Sequence, residues 1–236
     1  MMLESLVKMN EAFSKVGEDY GYTSVTVVFA ETVEYKVRWR RGCKTEGRWI
    51  EFEMTDYLAD APVNVMEAQA RMIFAVIAGD KKEYPKELLA WLTSEEFVKT
   101  KRPVYLGRTR NLTGSPEGTH INLEDSYQRL IDAGLVERDD NILISWTKNP
   151  NRKKVGWCSI LMKVIYVSSI LDDPNIPSYV ADYVLYHELL HTRIGFDPFG
   201  HKHDLNFLAL EHLHPMHEEA EEWLKRLRLD LEGDAQ

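Results

Sequence analysis

The sequence predicts an α+β fold arranged in two halves, each a short sheet packed against helices. Apolar residues recur at helical spacing in some stretches and in short β-like runs in others. A segment rich in cations, glycine and proline interrupts the pattern near the middle of the chain. The order of predicted strand and helix is then repeated after that break. Composition agrees: 236 residues, 44% hydrophobic and 28% charged, suit one large or two small globular domains.

The elements follow in order. Leu3, Leu6, Val7, Met9 and Phe13 share a helical spacing over residues 3–15, which Gly17 and Gly21 end. β-like runs come next at Ser24–Ala30 and residues 48–54. Pro62 opens a helix, Val63–Ala78, that stops at Gly79, and a second helix is expected over residues 85–98. Residues 99–117 place Lys99, Lys101, Arg102, Arg108 and Arg110 among Pro103, Gly107, Gly114 and Pro116, which reads as a connector. The expected organisation is an N-terminal α+β region (1–98), this connector (99–117) and a C-terminal domain (118–236). In that domain, residues 124–133 form a helix closed by Gly134, and residues 141–146 and 162–168 are strands joined through a polar segment, 148–154. Pro174 and Pro177 precede a long helix, Ser178–Ile194.

A shift of 115 residues aligns residues 48–72 with 163–187 without a gap, strand on strand and helix on helix. It also sets Cys43 on Cys158, Ile50 on Ile165 and Pro62 on Pro177. Identity is sparse, so two readings stand: a degenerate copy of the second half, or two unrelated segments of similar pattern. On the first reading, Met72, Ile73 and Val76 occupy the positions of His187, Glu188 and His191.

Net charge of −9 argues against a broad nucleic-acid footprint. The longest mostly apolar run, residues 72–78, falls far short of the ~20 residues of a membrane span, so no membrane partner is expected. The N-terminal residues lack the basic start and apolar block of a signal peptide. Two cysteines cannot build a disulfide framework, and a reducing, cytoplasmic setting is expected.

Seven of the eight histidines fall between His187 and His217, and two of them stand in His187-Glu188-Leu189-Leu190-His191. Residues i and i+4 share one helical face, so both imidazoles can reach one cation with Glu188 beside them. Two neutral nitrogens suit zinc, and the glutamate can take a proton from a water that the metal polarises. Val180, Val184, Leu185, Leu189 and Leu190 make this helix mostly buried, where uncompensated polar groups are expensive. A third ligand is required. Gly195 ends the helix, Asp197, Pro198 and Gly200 make a loop, and His201 and His203 lie at the mouth of a helix beginning near Asp204. Glu211, eight residues after His203, is a competing ligand or a supporting partner. His212, His214 and His217 are expected on a solvated face with Glu218, Glu219, Glu221 and Glu222.

Residues 118–213 resemble the SprT-like zinc metallopeptidase family, including its YgjP-type members. The resemblance rests on the Gly118–Leu123 approach to a helix, a strand ending in Trp146, a strand over residues 164–168, and Leu171 with Pro174 and Pro177. It continues through Tyr183-Val184-Leu185-Tyr186-His187-Glu188-Leu189-Leu190-His191 and His203-x-x-x-Phe207-x-x-x-Glu211. It implies a zincin-like domain, a short mixed sheet beside an active-site helix, with His187, His191 and His203 on zinc. Glu188 would be the general base and Glu211 a supporting residue. The implied activity is zinc-dependent hydrolysis of peptide bonds in a protein or peptide substrate. The strand at residues 162–168 would, by analogy with zincins, be the edge on which substrate pairs. Tyr186 and His201 are candidates for stabilising the oxyanion. Two alternatives stand beside this reading: a catalytically weak zinc-binding interaction module, or a protease acting on DNA-bound proteins through cations at 99–110 and 148–154. Nucleic acid is the less favoured partner, and no oligomeric state is expected from the sequence.

Overall fold

The computed structural model describes residues 2–81, 83–196 and 203–233. They form an α+β protein of two compact units, divided between Arg108 and Thr109. No described helix is long and apolar enough to cross a membrane.

The first unit starts with α1 (Met2–Asp19), then β1 (Ser24–Ala30), β2 (Val37–Lys44) and β3 (Gly47–Thr55). A 3₁₀ turn (Asp56–Leu58) leads to α2 (Val63–Ala78), α3 (Lys86–Leu92) and α4 (Glu95–Arg108). The sheet order is β1-β3-β2, with β1 parallel and β2 antiparallel to the central β3. Alternation along β3 puts Ile50, Phe52 and Met54 on the face that meets the helices, where Phe13, Phe52 and Phe74 stack edge-on. Glu51 and Glu53 point the other way, opposite Arg40 and Arg38 of β2.

Three features of this unit depart from expectation, the first being that the helix expected over residues 85–98 is broken at Thr93 and Ser94 into α3 and α4. Strand β2 carries a basic, exposed pattern (VRWRRGCK) with no apolar alternation to announce it; it forms because β3 offers both a backbone ladder and carboxylates. Residues 99–108, expected in the connector, are the last ten of the 14 residues of α4. Its cations are not linker charges: Lys101 pairs with Asp60, and Arg108 grips Asp56 through two hydrogen bonds of 2.7 Å. Phe97 and Tyr105 bury the inner face and hold the helix together despite Pro103 within it.

The second unit contains α5 (Leu123–Asp132), β4 (Leu143–Trp146), β5 (Gly156–Ser159) and β6 (Val164–Val167). A 3₁₀ turn (Ser169–Leu171) then precedes α6 (Ser178–Ile194), α7 (Leu205–Glu211) and α8 (His217–Gly233). Asn122 caps α5 by accepting from the Glu124 N–H, and Gly134, at φ 69°, closes the helix in the left-handed conformation that glycine adopts freely. The sheet order is β4-β6-β5, with β4 parallel and β5 antiparallel to β6. The strand expected as the substrate edge is therefore the centre of the sheet, and β4 and β5 are its edges.

The two sheets share one topology. The 115-residue shift carries the start of α2 at Val63 onto the start of α6 at Ser178. It carries Phe52 onto Val167, whose strand partners are Trp39 and Gly156 respectively. Cys43 and Cys158 do not correspond: Ile50 pairs with Arg41, whereas Ile165 pairs with Cys158. Between the corresponding pairs Gly42–Trp49 and Ser159–Val164, six residues intervene in the first unit and four in the second, which offsets the earlier strand by two residues.

Candidate metal centre

Helix α6 runs through the core of the second unit. Val180, Ala181, Leu185 and Leu190 are fully buried, and the hydrophobic residues of α5, β4 and β6 close around them. Asp182 accepts two hydrogen bonds from Arg129, at 2.9 and 2.7 Å, which fixes α6 against α5. The C-terminal half of α6 presents His187 and His191 one turn apart, their ring centroids separated by 5.1 Å.

Asp204 caps α7 by accepting from the Phe207 N–H at 2.8 Å, and His203 stands just ahead of that cap. Its ring lies 5.1 Å from His187 and 5.0 Å from His191. Phe207, fully buried, packs against all three imidazoles at 5.1, 4.7 and 4.7 Å, an apolar floor under a polar cluster. One nitrogen from each histidine lies within 4.8 Å of the others, so the group can hold a metal ion. His203 Nε2 is 3.3 Å from His187 Nε2. Two nitrogens bound to one tetrahedral zinc stand about 3.4 Å apart, so this spacing fits.

The surrounding groups orient the ligands. Glu211 Oε1 is 2.5 Å from His187 Nδ1, which leaves Nε2 to face the other two rings. Burial by itself would lower the His187 pKa; the hydrogen bond to Glu211, with the charges of Glu188, Glu211 and Glu221, outweighs it and raises the value. Burial would likewise raise Glu211, but His187 and Tyr183 hold its carboxyl below the usual range. The Tyr183 hydroxyl lies 3.1 Å from Glu211 Oε1 and 2.9 Å from Glu221 Oε1. Burial and the two carboxylates push its pKa far up, so it remains a donor. Glu221 thereby ties α8 into the support of His187.

Glu188 is buried and lies against the edge strand. A Cβ placed on Gly156 would sit 2.5 Å from Glu188 Oε1 and 2.8 Å from Val184 Cγ1. Only glycine leaves the carboxylate that room.

The expected site residues fare differently. His187, His191 and His203 are brought together, with Glu188 on the same helix and Glu211 behind His187. His201, and the loop expected at Asp197, Pro198 and Gly200, lie outside the described residues. Tyr186 is no oxyanion group, because its buried hydroxyl donates to the Leu210 carbonyl at 2.6 Å. The solvated histidine face is also corrected. His214 is only 5% exposed, between the rings of Tyr183 and Tyr186, and burial lowers its pKa; His217 packs on Tyr183 as well. Of the three, His212 alone is exposed, because the chain between α7 and α8 turns back onto α6. Sequence spacing missed Gly156, and it gave no role to Tyr183 or Glu221, whose contacts join residues 28 to 38 positions apart.

Fold and site together define an α+β protein with a three-histidine group able to hold a metal ion, two of its histidines on a buried H-E-x-x-H helix and the third just ahead of α7. Comparison with known proteins yields no match among family models, curated proteins or solved structures.

Proposed function

We propose that the second unit is a zincin-like zinc metallopeptidase, similar to the SprT-like family, acting on an extended protein or peptide segment. The observation that carries this is the convergence of three imidazoles beside a buried glutamate that lies against the outer strand β5. Zinc, when bound, supplies a Lewis acid and lowers the pKa of water at its open position to about 7. Glu188 accepts the proton of the attacking water and returns it to the leaving amine. Glu211 fixes the tautomer and direction of His187, and Phe207 keeps the inner side of the cluster dry. Strand β5, with Gly156 against Glu188, provides the backbone on which an extended substrate pairs.

A purely structural zinc site closes its fourth position with a protein ligand. Here Glu211 is engaged with His187 Nδ1 and Tyr183, which favours the open, catalytic arrangement over an interaction module. The DNA-linked alternative loses two of its cations, since Lys101 and Arg108 pair with Asp60 and Asp56.

Elemental analysis of protein purified without a histidine tag tests the reading. About one zinc per chain is expected in the wild type, and none in a folded His191→Ala variant. Glu188→Gln should keep the metal and lose hydrolysis of an unfolded protein such as casein by about 100-fold or more. A wild type that takes up no metal from added zinc, or a Glu188→Gln variant of unchanged activity, would sink the proposal.

A further inference from the structure

The first unit holds a cavity at the position where the second has its histidine cluster. The 115-residue shift carries His187, Glu188 and His191 onto Met72, Ile73 and Val76. Those three side chains, with Tyr35, Val37 and Trp39, line a cavity of about 220 Å³. The strands correspond as well: Trp39 stands opposite Phe52 where Gly156 stands opposite Val167. Where one unit has a glycine that makes room for a carboxylate, the other has a tryptophan beside an isoleucine. One position thus holds polar, metal-binding chemistry in the second unit and an aliphatic and aromatic cleft in the first.

We propose that this cavity binds one large apolar side chain of an extended peptide segment with acidic flanks, supplied by another protein and paired along the edge of β2. Size points to a side chain: the cavity is smaller than the ~300–1,000 Å³ of sites for cofactors and drug-sized ligands. Strand β2 pairs only with β3 among the described residues, so its outer backbone groups can take a further strand. Trp39, 45% exposed at the mouth, offers the flat aromatic surface that anchors such contacts. The Tyr35 hydroxyl is held by Gln69 Nε2 at 2.6 Å, which fixes the cavity wall.

Charge selects the occupant. Strand β2 carries Arg38, Arg40, Arg41 and Lys44 within eight residues. Glu53 and Glu51 pair with Arg38 and Arg40, and Arg41 donates to the Ile77 carbonyl rather than to an acid. The surplus of positive charge attracts acidic residues on an incoming strand. It also opposes pairing of β2 with the same strand of a second copy, where like charges would lie opposite one another. The site requires neither metal nor cleavage, so it stands or falls independently of the proposed peptidase.

Fluorescence anisotropy on the full-length Glu188→Gln chain tests it, with a labelled peptide of alternating valine and threonine, a central phenylalanine and glutamates at both ends. This probe should bind at least about tenfold tighter than the same peptide with a central alanine. Lysine in place of the terminal glutamates should weaken binding at least about fivefold at low salt and less at high salt. Trp39→Ala, which removes the anchor, and Val76→Trp, which fills the cavity, should each lower affinity at least about fivefold with the melting temperature preserved. If one variant fails to fold, the other and the phenylalanine–alanine comparison still decide. Equal binding of the two probes, or unchanged binding in a folded cavity variant, would overturn the proposal. So would a chain that elutes as a dimer dissociated by Trp39→Ala, because the occupant would then be a second copy.

Discussion

At the scale of single residues, the contact between Gly156 and Glu188 is the most exacting feature of the second unit. A methyl group on Gly156 would meet Glu188 Oε1 at 2.5 Å and Val184 Cγ1 at 2.8 Å, so both side chains must shift. Gly156→Ala should therefore cost about 1–3 kcal/mol of stability. The carboxylate, however, moves from its place. On the proposed chemistry a displacement near 1 Å lowers turnover by about 10- to 100-fold. Zinc content should stay unchanged, because the atoms nearest the new methyl group belong to Glu188 and Val184 and not to the three histidines. Full activity in Gly156→Ala would mean that Glu188 is not the base, or that its position does not matter.

At the scale of elements, the approaches to α5 and α6 are joined through one carboxylate. Asp172 Oδ2 accepts from the Thr119 N–H at 2.5 Å, and Oδ1 accepts from His120 and Ile121 at 2.8 and 2.9 Å. Burial would raise its pKa, but the three N–H groups and His120 outweigh burial and lower it below 3.8. A depressed carboxyl pKa stabilises the fold fully above the unfolded value and loses that contribution as pH falls through the folded one. Asp172→Ala should therefore destabilise the second unit by about 1–3 kcal/mol at pH 7. Urea unfolding at pH 7 and again well below 3.8 should show the difference between wild type and variant shrinking in acid. A difference that persists undiminished would show that the carboxylate's charge does not hold the two approaches together.

The same scale explains what the sequence made legible. Helices with continuous apolar faces, such as Val63–Ala78 and Ser178–Ile194, are readable because burial alone specifies them. The metal cluster was readable where two ligands share one helix, and through a family resemblance for His203. Strands β2 and β5 were not, since one is basic and exposed and the other is four residues starting at a glycine. Their positions are set by pairing with a central strand. Cations in α4 look like a linker until Asp56 and Asp60 are seen opposite them.

At the scale of the whole molecule, each unit has its own hydrophobic core: one around Phe13, Phe52 and Phe74, the other around Trp146, Tyr183 and Leu190. Each core contains enough buried aromatic and aliphatic residues to fold cooperatively by itself. Among the described residues, the group able to hold a metal ion lies in the second unit, because all three of its histidines belong to it. A ligand stabilises only the cooperative unit that binds it, by about 2.7 kcal/mol when free metal is 100-fold above its dissociation constant. Calorimetry of the full chain should therefore resolve two transitions. Chelation with EDTA should lower one of them by several degrees, and His191→Ala should lower the same one, while the other stays in place. The unmoved transition should respond instead to Lys101→Ala, which breaks the ion pair to Asp60 in the first unit. A single transition that shifts as a whole with metal would show that the two cores unfold as one, and that zinc stabilises the entire chain.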